Sequence, residues 1–204
     1  KAQESEAFTR QAIRRRLEQI VARGQGDLMA EFATPIPGSV SADVLGFPES
    51  QHDALMAWCN DLLHSTWPPT GKTEKGEGIA AGFPELSACI DEQIERRARD
   101  GSLDDLLASM VRSRGEDGWS IGAHHTRTLV VNMLAGSLSA TYMVGNLLYR
   151  LITDRDFEAA LRRDPSNIPR AVEESLRYEA PVAFLWRTAR ADGQIGQTPV
   201  FKGE

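Results

Sequence analysis

The sequence predicts a mostly α-helical fold with short β-strands at its C-terminal end. Three observations predict it. Apolar residues recur at three- and four-residue spacing as far as Tyr178, the period of helices that bury one face. One long stretch, about residues 120–152, is apolar nearly all round at its centre, which marks a helix enclosed by others. After Pro181 the texture changes to short apolar runs broken by Gly193, Gly196 and Pro199, the punctuation of strands and turns.

The elements follow in order. Phe8, Ala12, Ile13, Leu17, Ile20 and Val21 form the first helical stripe, and Gly24 stops it. Lys1 opens this stripe without a start signal, so the sequence is expected to begin inside a helix. Pro35, Pro37 and Gly38 are read as a break, followed by a short helix through Val40, Val44 and Leu45 that ends at Gly46. Pro48 opens a helix over residues 49–64, with Leu55, Trp58, Cys59, Leu62 and Leu63 apolar. Residues 65–78 hold Pro68, Pro69, Gly71, Gly76 and Gly78 and read as a mobile surface loop. Helix returns over residues 83–100, where Asp91, Glu92, Glu95, Arg96, Arg97 and Arg99 are read as a solvated face. A short helix at 104–111 and a turn at 115–118 lead to Ser120, expected to cap the long helix. Residues 154–163 form a further helix. Pro165 and Pro169 bracket the start of the last one, which ends near Arg177.

Composition narrows the function classes. The chain is 41% hydrophobic and 25% charged, the profile of a globular domain. Its net charge of -6 argues against a nucleic-acid partner, which is usually met by a basic face. Cys59 and Cys89 give neither a disulfide framework nor a zinc spacing, and read as buried thiols. No unbroken apolar run approaches the roughly 18 residues of a membrane helix, because Asn132 and Gly136 interrupt the longest one. No signal peptide is expected at Lys1. The expectations are no membrane span and a cytoplasmic location.

Three constellations could carry chemistry. Ala135-Gly136-Ser137-Leu138-Ser139 lies in the middle of the long apolar helix. Small residues there allow either tight helix packing or a planar ligand against the backbone, with a hydroxyl over it. Glu174 and Arg177 share one face of the last helix and can meet as an ion pair, which alone would be a surface feature. Arg187, after Phe184 and Leu185, sits where a short strand could aim it at a buried anion, although an exposed strand arginine is the plainer reading.

Taken in this order, the three motifs resemble the cytochromes P-450 of bacteria. Ala-Gly-x-x-Ser in a long central helix is followed by Ala171-Val172-Glu173-Glu174-Ser175-Leu176-Arg177-Tyr178-Glu179-Ala180-Pro181-Val182, then by a strand arginine. Ala7-Phe8-Thr9 and Val44-Leu45-Gly46-Phe47-Pro48-Glu49 fit as well, so the resemblance covers essentially the whole chain. It implies a cytochrome P-450-like helical fold running from the D to the K helix. It implies haem b as cofactor, with Ala135 and Gly136 beside it on the oxygen side, Ser139 as the catalytic hydroxyl and Arg187 on a propionate. Glu174 and Arg177 would be structural. Val182, Phe184 and Leu185 would line the substrate pocket, with Trp58, Leu62 and Leu63 in its roof.

The same resemblance implies a haem-dependent monooxygenase that inserts one oxygen atom from dioxygen into a largely hydrophobic small molecule. Electrons would come from a ferredoxin and its reductase, or another donor. Two departures qualify it. The cysteine that ligates haem iron in the family is absent, so residues 1–204 are expected to be a partial domain. Its N-terminal part and its C-terminal ligand part, with the axial cysteine, would lie outside the chain. Leu138 stands where the family has an acid beside the alcohol, and leucine cannot carry a proton. A peroxide-driven haem oxygenase and a non-catalytic binding module are the alternatives these departures raise.

Overall fold

A computed structural model describes residues 5–66, 82–185 and 187–204 of the protein, and the side chains of residues 63–66 lie outside the description. The reading of residues 65–78 as a loop therefore falls largely outside the described residues. The described part holds eight α-helices, matching the predicted run from D to K, and one two-stranded sheet.

Helix α1 is Ser5–Arg23, and Gly24 ends it in the left-handed region at φ 71°. One turn of π-helix, Met29–Ala33, leads into α2, Pro35–Leu45. The prolines that suggested a break instead start this helix. The first turn of a helix has no intrahelical use for its N–H groups, so proline loses nothing there. Gly46 closes α2 at φ 86°, as its glycine implied. Helix α3, Glu49–Thr66, and helix α4, Pro84–Arg99, follow, then α5, Leu106–Arg112.

Helix α6, Ala123–Thr153, has 31 residues, about 46 Å of helix. Gly122 takes the N-cap position, not Ser120, which instead bridges to Arg114 across the turn at Gly118. Helix α7, Arg155–Arg163, a 3-10 turn at Pro165–Asn167 and helix α8, Ile168–Tyr178, complete the helical part. Strands β1, Gly193–Ile195, and β2, Thr198–Val200, form an antiparallel hairpin around Gly196. Of the strand expected around residues 184–188, the described residues 184, 185, 187 and 188 are in no strand. The one sheet among the described residues lies further along the chain.

Helix α6 is the spine. It packs on α2, α3, α4 and α5 and carries α7 and α8. The core joins Leu45, Leu55, Leu86, Ile90, Leu107 and Leu134, all fully buried. Arg127 fixes the start of α6 to α4 by a bidentate pair with Asp91, both Nη2–Oδ distances being 2.7 Å. By length and composition α6 is also the one helix among the described residues able to cross a membrane. Counting unbroken apolar runs had missed this, because Asn132 and Gly136 interrupt the run without lowering its average much.

Two smaller predictions arise here. Asp154 caps α7 by accepting the Phe157 N–H at 3.0 Å. Asp154→Ala is expected to cost about 1 kcal/mol, read from urea midpoints. Asp43, on α2, has its carboxyl pushed up by burial, against the pull of His52 and with a small addition from Glu49. A carboxyl whose folded value is raised contributes stability present below the unfolded carboxylate range and lost as pH rises through the folded value. Asp43→Asn should therefore stabilise the fold at neutral pH and flatten that part of the pH profile, followed by urea midpoints from about pH 3 to 7.

Candidate functional site

The middle of α6 presents two different faces. Leu134, Ser137 and Thr141 are buried toward the core, while Gly136 is exposed and Ala135 and Ser139 are half-buried. The hydroxyls bond back along the helix. Ser137 Oγ donates to the Leu134 carbonyl at 2.6 Å, and Ser139 Oγ donates to the Gly136 carbonyl at 2.9 Å. Such bonds loosen the backbone ladder locally.

Space distinguishes Gly136 from the other glycines near the core. A Cβ built there meets nothing within 4 Å. At Gly145, two turns on, it would meet Met29 of the π-helix, and at Gly38 it would meet Met56. Those two glycines serve packing. Gly136 instead leaves bare backbone open on a helix whose other face is the core. The residues present therefore have room for a flat group lying against Ala135 and Gly136.

Helix α8 is held against the second half of α6. Asn146 Nδ2–H donates to the Glu179 carbonyl at 3.0 Å, and the Arg150 guanidinium lies 5.3 Å from the centre of the Tyr178 ring. Ala171 and Ser175 form its buried face. Glu174 and Arg177 meet as the sequence predicted, through a fork with distances of 2.8 and 2.6 Å. The Arg177 guanidinium holds the Glu174 carboxyl below the usual carboxylate range, and Glu174 raises Arg177 in turn. Both side chains are more than half exposed, so the pair is formed but not enclosed by this chain.

Val182, Phe184, Leu185 and Arg187 lie in the irregular segment after Pro181, all exposed. Phe184 and Leu185 are each 63% exposed, more than a wall residue of a closed pocket would be. Trp58 and Leu62, expected in a roof, pack against the core cluster, and Trp58 Nε1–H donates to Glu85 at 3.2 Å. The side chain of Leu63 lies outside the described residues.

Both cysteines are free thiols, Cys59 buried and Cys89 half-buried. Burial pushes the Cys59 thiol up to about 12 and raises Cys89, which Glu92 raises further. Among the described residues no three His, Cys, Asp or Glu side chains converge. The axial ligand of a haem would have to come from elsewhere than Cys59 and Cys89.

Sequence reasoning misread Arg97. Assigned to a solvated face, it is 2% exposed. Its Nε–H and Nη2–H donate to Asp105 at 2.7 and 2.8 Å, Nη2 to the Gly46 carbonyl at 2.5 Å, and Nη1 to Gln93. The signal was present. Leu86, Ile90, Gln93 and Arg97 follow helical spacing on one face, and all four are buried.

Comparison with known proteins places this arrangement. No protein-family model matches the chain. It is 32% identical over 195 residues to 6-deoxyerythronolide B hydroxylase of Saccharopolyspora erythraea, covering 91% of this chain and 46% of that one. It is 34% identical over 160 residues to cytochrome P-450 monooxygenase PikC of Streptomyces venezuelae, covering 78% of this chain and 36% of that one. Among solved structures, ligand-free cytochrome P-450 TbtJ1 superimposes with a TM-score of 0.79 at 28% identity, over 98% of this chain and 52% of that one. The chain belongs to the cytochrome P-450 family. It spans about half or less of the length of the curated relatives it matches.

Proposed function

We propose that this chain is part of a haem-dependent monooxygenase, which inserts one oxygen atom from dioxygen into a largely hydrophobic organic substrate. The observation that supports it most is the open backbone at Gly136, on the core helix of a chain related to named P-450 hydroxylases and monooxygenases. Ala135 and Gly136 would border the oxygen side of haem b, and Arg187 would bind a propionate. When bound, a haem with a thiolate ligand supplies the activation of dioxygen and the transfer of one oxygen atom.

The chain's own residues do the rest. Ser139 holds its hydroxyl proton on the Gly136 carbonyl, one residue from Leu138. It can turn that O–H to donate a hydrogen bond to a water or a substrate hydroxyl, because a hydroxyl rotates at little cost. Glu174 and Arg177 keep a rigid fork on α8 for polypeptide that packs there. Val182, Phe184 and Leu185 present apolar surface to a substrate, which favours a hydrophobic one. Electrons would come from a ferredoxin and reductase pair or another donor, in the cytoplasm. Helix α6 serves as a core helix in this reading.

The test is the spectrum of the full-length protein after reduction with dithionite and treatment with carbon monoxide. A strongly red-shifted Soret band supports the reading, and a haem band without that shift overturns it. Leu138 favours a second reading, in which peroxide replaces dioxygen and donor. Product formed with hydrogen peroxide, and none with dioxygen and a donor, would select it. Under the first reading Ser139→Ala should lower dioxygen-supported product formation roughly tenfold or more, and peroxide-supported formation much less.

A further inference from the structure

Residues 180–188 carry the substrate and propionate roles of the functional reading, and none of the described ones lies in a helix or strand. Their course is tied down at both ends. At the far end Ala189 is bound to the chain beyond the hairpin. Its N–H donates to the Glu204 carbonyl at 2.8 Å, and its carbonyl accepts the Gly203 N–H at 2.9 Å. At the near end the Glu179 N–H donates to the Ser175 carbonyl at 2.9 Å and closes α8. The Glu179 carbonyl accepts the Asn146 Nδ2–H at 3.0 Å, so the segment begins where α6 holds it.

Asn146 is well placed to hold something still. It follows Gly145, whose Cβ position is filled by Met29, and one turn on Arg150 lies over the Tyr178 ring. The cation–π contact keeps the end of α8 near α6 but sets no direction for the chain that leaves it. A hydrogen bond does set direction, because donor and carbonyl must align. Chain stiffness carries that direction onward. The ring of Pro181 fixes its own φ and confines Ala180 to extended backbone. Few soft torsions therefore separate the Glu179 peptide plane from Val182.

The same helix carries Ala135, Gly136 and Ser139, about 15 Å from Asn146 along its axis at Gly136. One rigid element thus presents both the open turn and the hold on residues 180–188. We infer that Asn146 is a positioning residue that, by holding the Glu179 carbonyl, fixes the direction in which residues 180–188 leave α8 and so places Val182 and Arg187 relative to the turn at Gly136. The parts given to Val182 and Arg187 rest on the haem reading above.

The experiment uses the full-length, haem-loaded protein at about pH 8, where an aspartate cannot donate. Asn146→Asp keeps the shape and loses the donor, and Asn146→Ala loses both. Asn132→Asp makes the first change at an exposed position of the same helix. Hydrogen exchange over residues 178–190 should rise about fivefold or more in both Asn146 variants, with α1 and α4 unchanged and Asn132→Asp like the parent. Haem loss to excess apomyoglobin is then timed for Asn146→Asp, Arg187→Ala and the double variant. Each single variant should lose haem faster, and the double should stay within about twofold of Arg187→Ala, because Asn146 acts through the placement of Arg187. Unchanged exchange over 178–190, a rise shared with α1, or single effects that multiply in the double variant overturns the positioning role. A parent protein without a thiolate-haem band overturns the functional reading and the part of Arg187 with it, and the exchange pattern still decides whether Asn146 holds the segment.

Discussion

Arg97→Ala is expected to destabilise the fold by about 3 kcal/mol or more, a large fraction of the stability of an ordinary domain. Removing the guanidinium leaves the Asp105 carboxylate, which is 20% exposed, without its counter-charge. It also leaves the Gly46 carbonyl and the Gln93 side chain without donors in a site that admits little water. The partial exposure of Asp105 places the cost near the lower end of the range for broken buried pairs. Arg99→Ala is the control. That arginine sits two residues on, 74% exposed, paired among the described residues with Glu95 a turn away, and its loss should change stability by no more than about 0.5 kcal/mol. Urea denaturation of the two variants beside the parent decides it. Equal midpoints would mean that the buried fork contributes no more than a surface pair.

The same residue shows what the sequence could and could not reveal. Helical spacing located the helices within a few residues, because each buries an apolar stripe whose period is visible without knowing its partner. Gly46 was legible as a helix stop because left-handed backbone favours glycine wherever it occurs. Arg97 was legible as a place on the buried stripe of Leu86, Ile90 and Gln93, but the partners that let a charged side chain stay there were not. Its burial is decided by a carbonyl 51 residues away. Pro35 and Pro37 were misread because a proline marks a boundary without saying on which side the helix lies. Around Arg187 the described residues form no strand, because short alternation marks extended backbone without naming a ladder partner. The Ala135-Gly136-Ser139 motif was visible as a run of small residues, with packing and ligand contact both open. Only the structure separates Gly136, with empty space beside it, from Gly145, against Met29.

The contrast between Gly46 and Gly136 gives the second large prediction, in which one substitution has opposite effects at two glycines. Gly46→Ala places a Cβ in left-handed backbone against Asp105 and Arg97, and should cost at least about 1 kcal/mol. Gly136 lies inside a helix with nothing within 4 Å of the new atom, so Gly136→Ala should stabilise the polypeptide by up to about 1 kcal/mol. Gly136→Leu should likewise leave the fold intact, as judged by urea midpoint and far-ultraviolet circular dichroism. Its side chain would nevertheless fill the space that the functional reading assigns to haem. In the full-length protein, Gly136→Leu should therefore weaken haem retention by roughly tenfold or more, equivalent to 1.4 kcal/mol, while Gly136→Ala has a smaller effect of the same sign. A Leu variant that holds haem as tightly as the parent, with an unchanged carbon-monoxide spectrum, would place the cofactor away from this turn. A Leu variant that folds and loses haem would tie the open backbone of α6 directly to cofactor binding, because no other property of the chain has changed at that position.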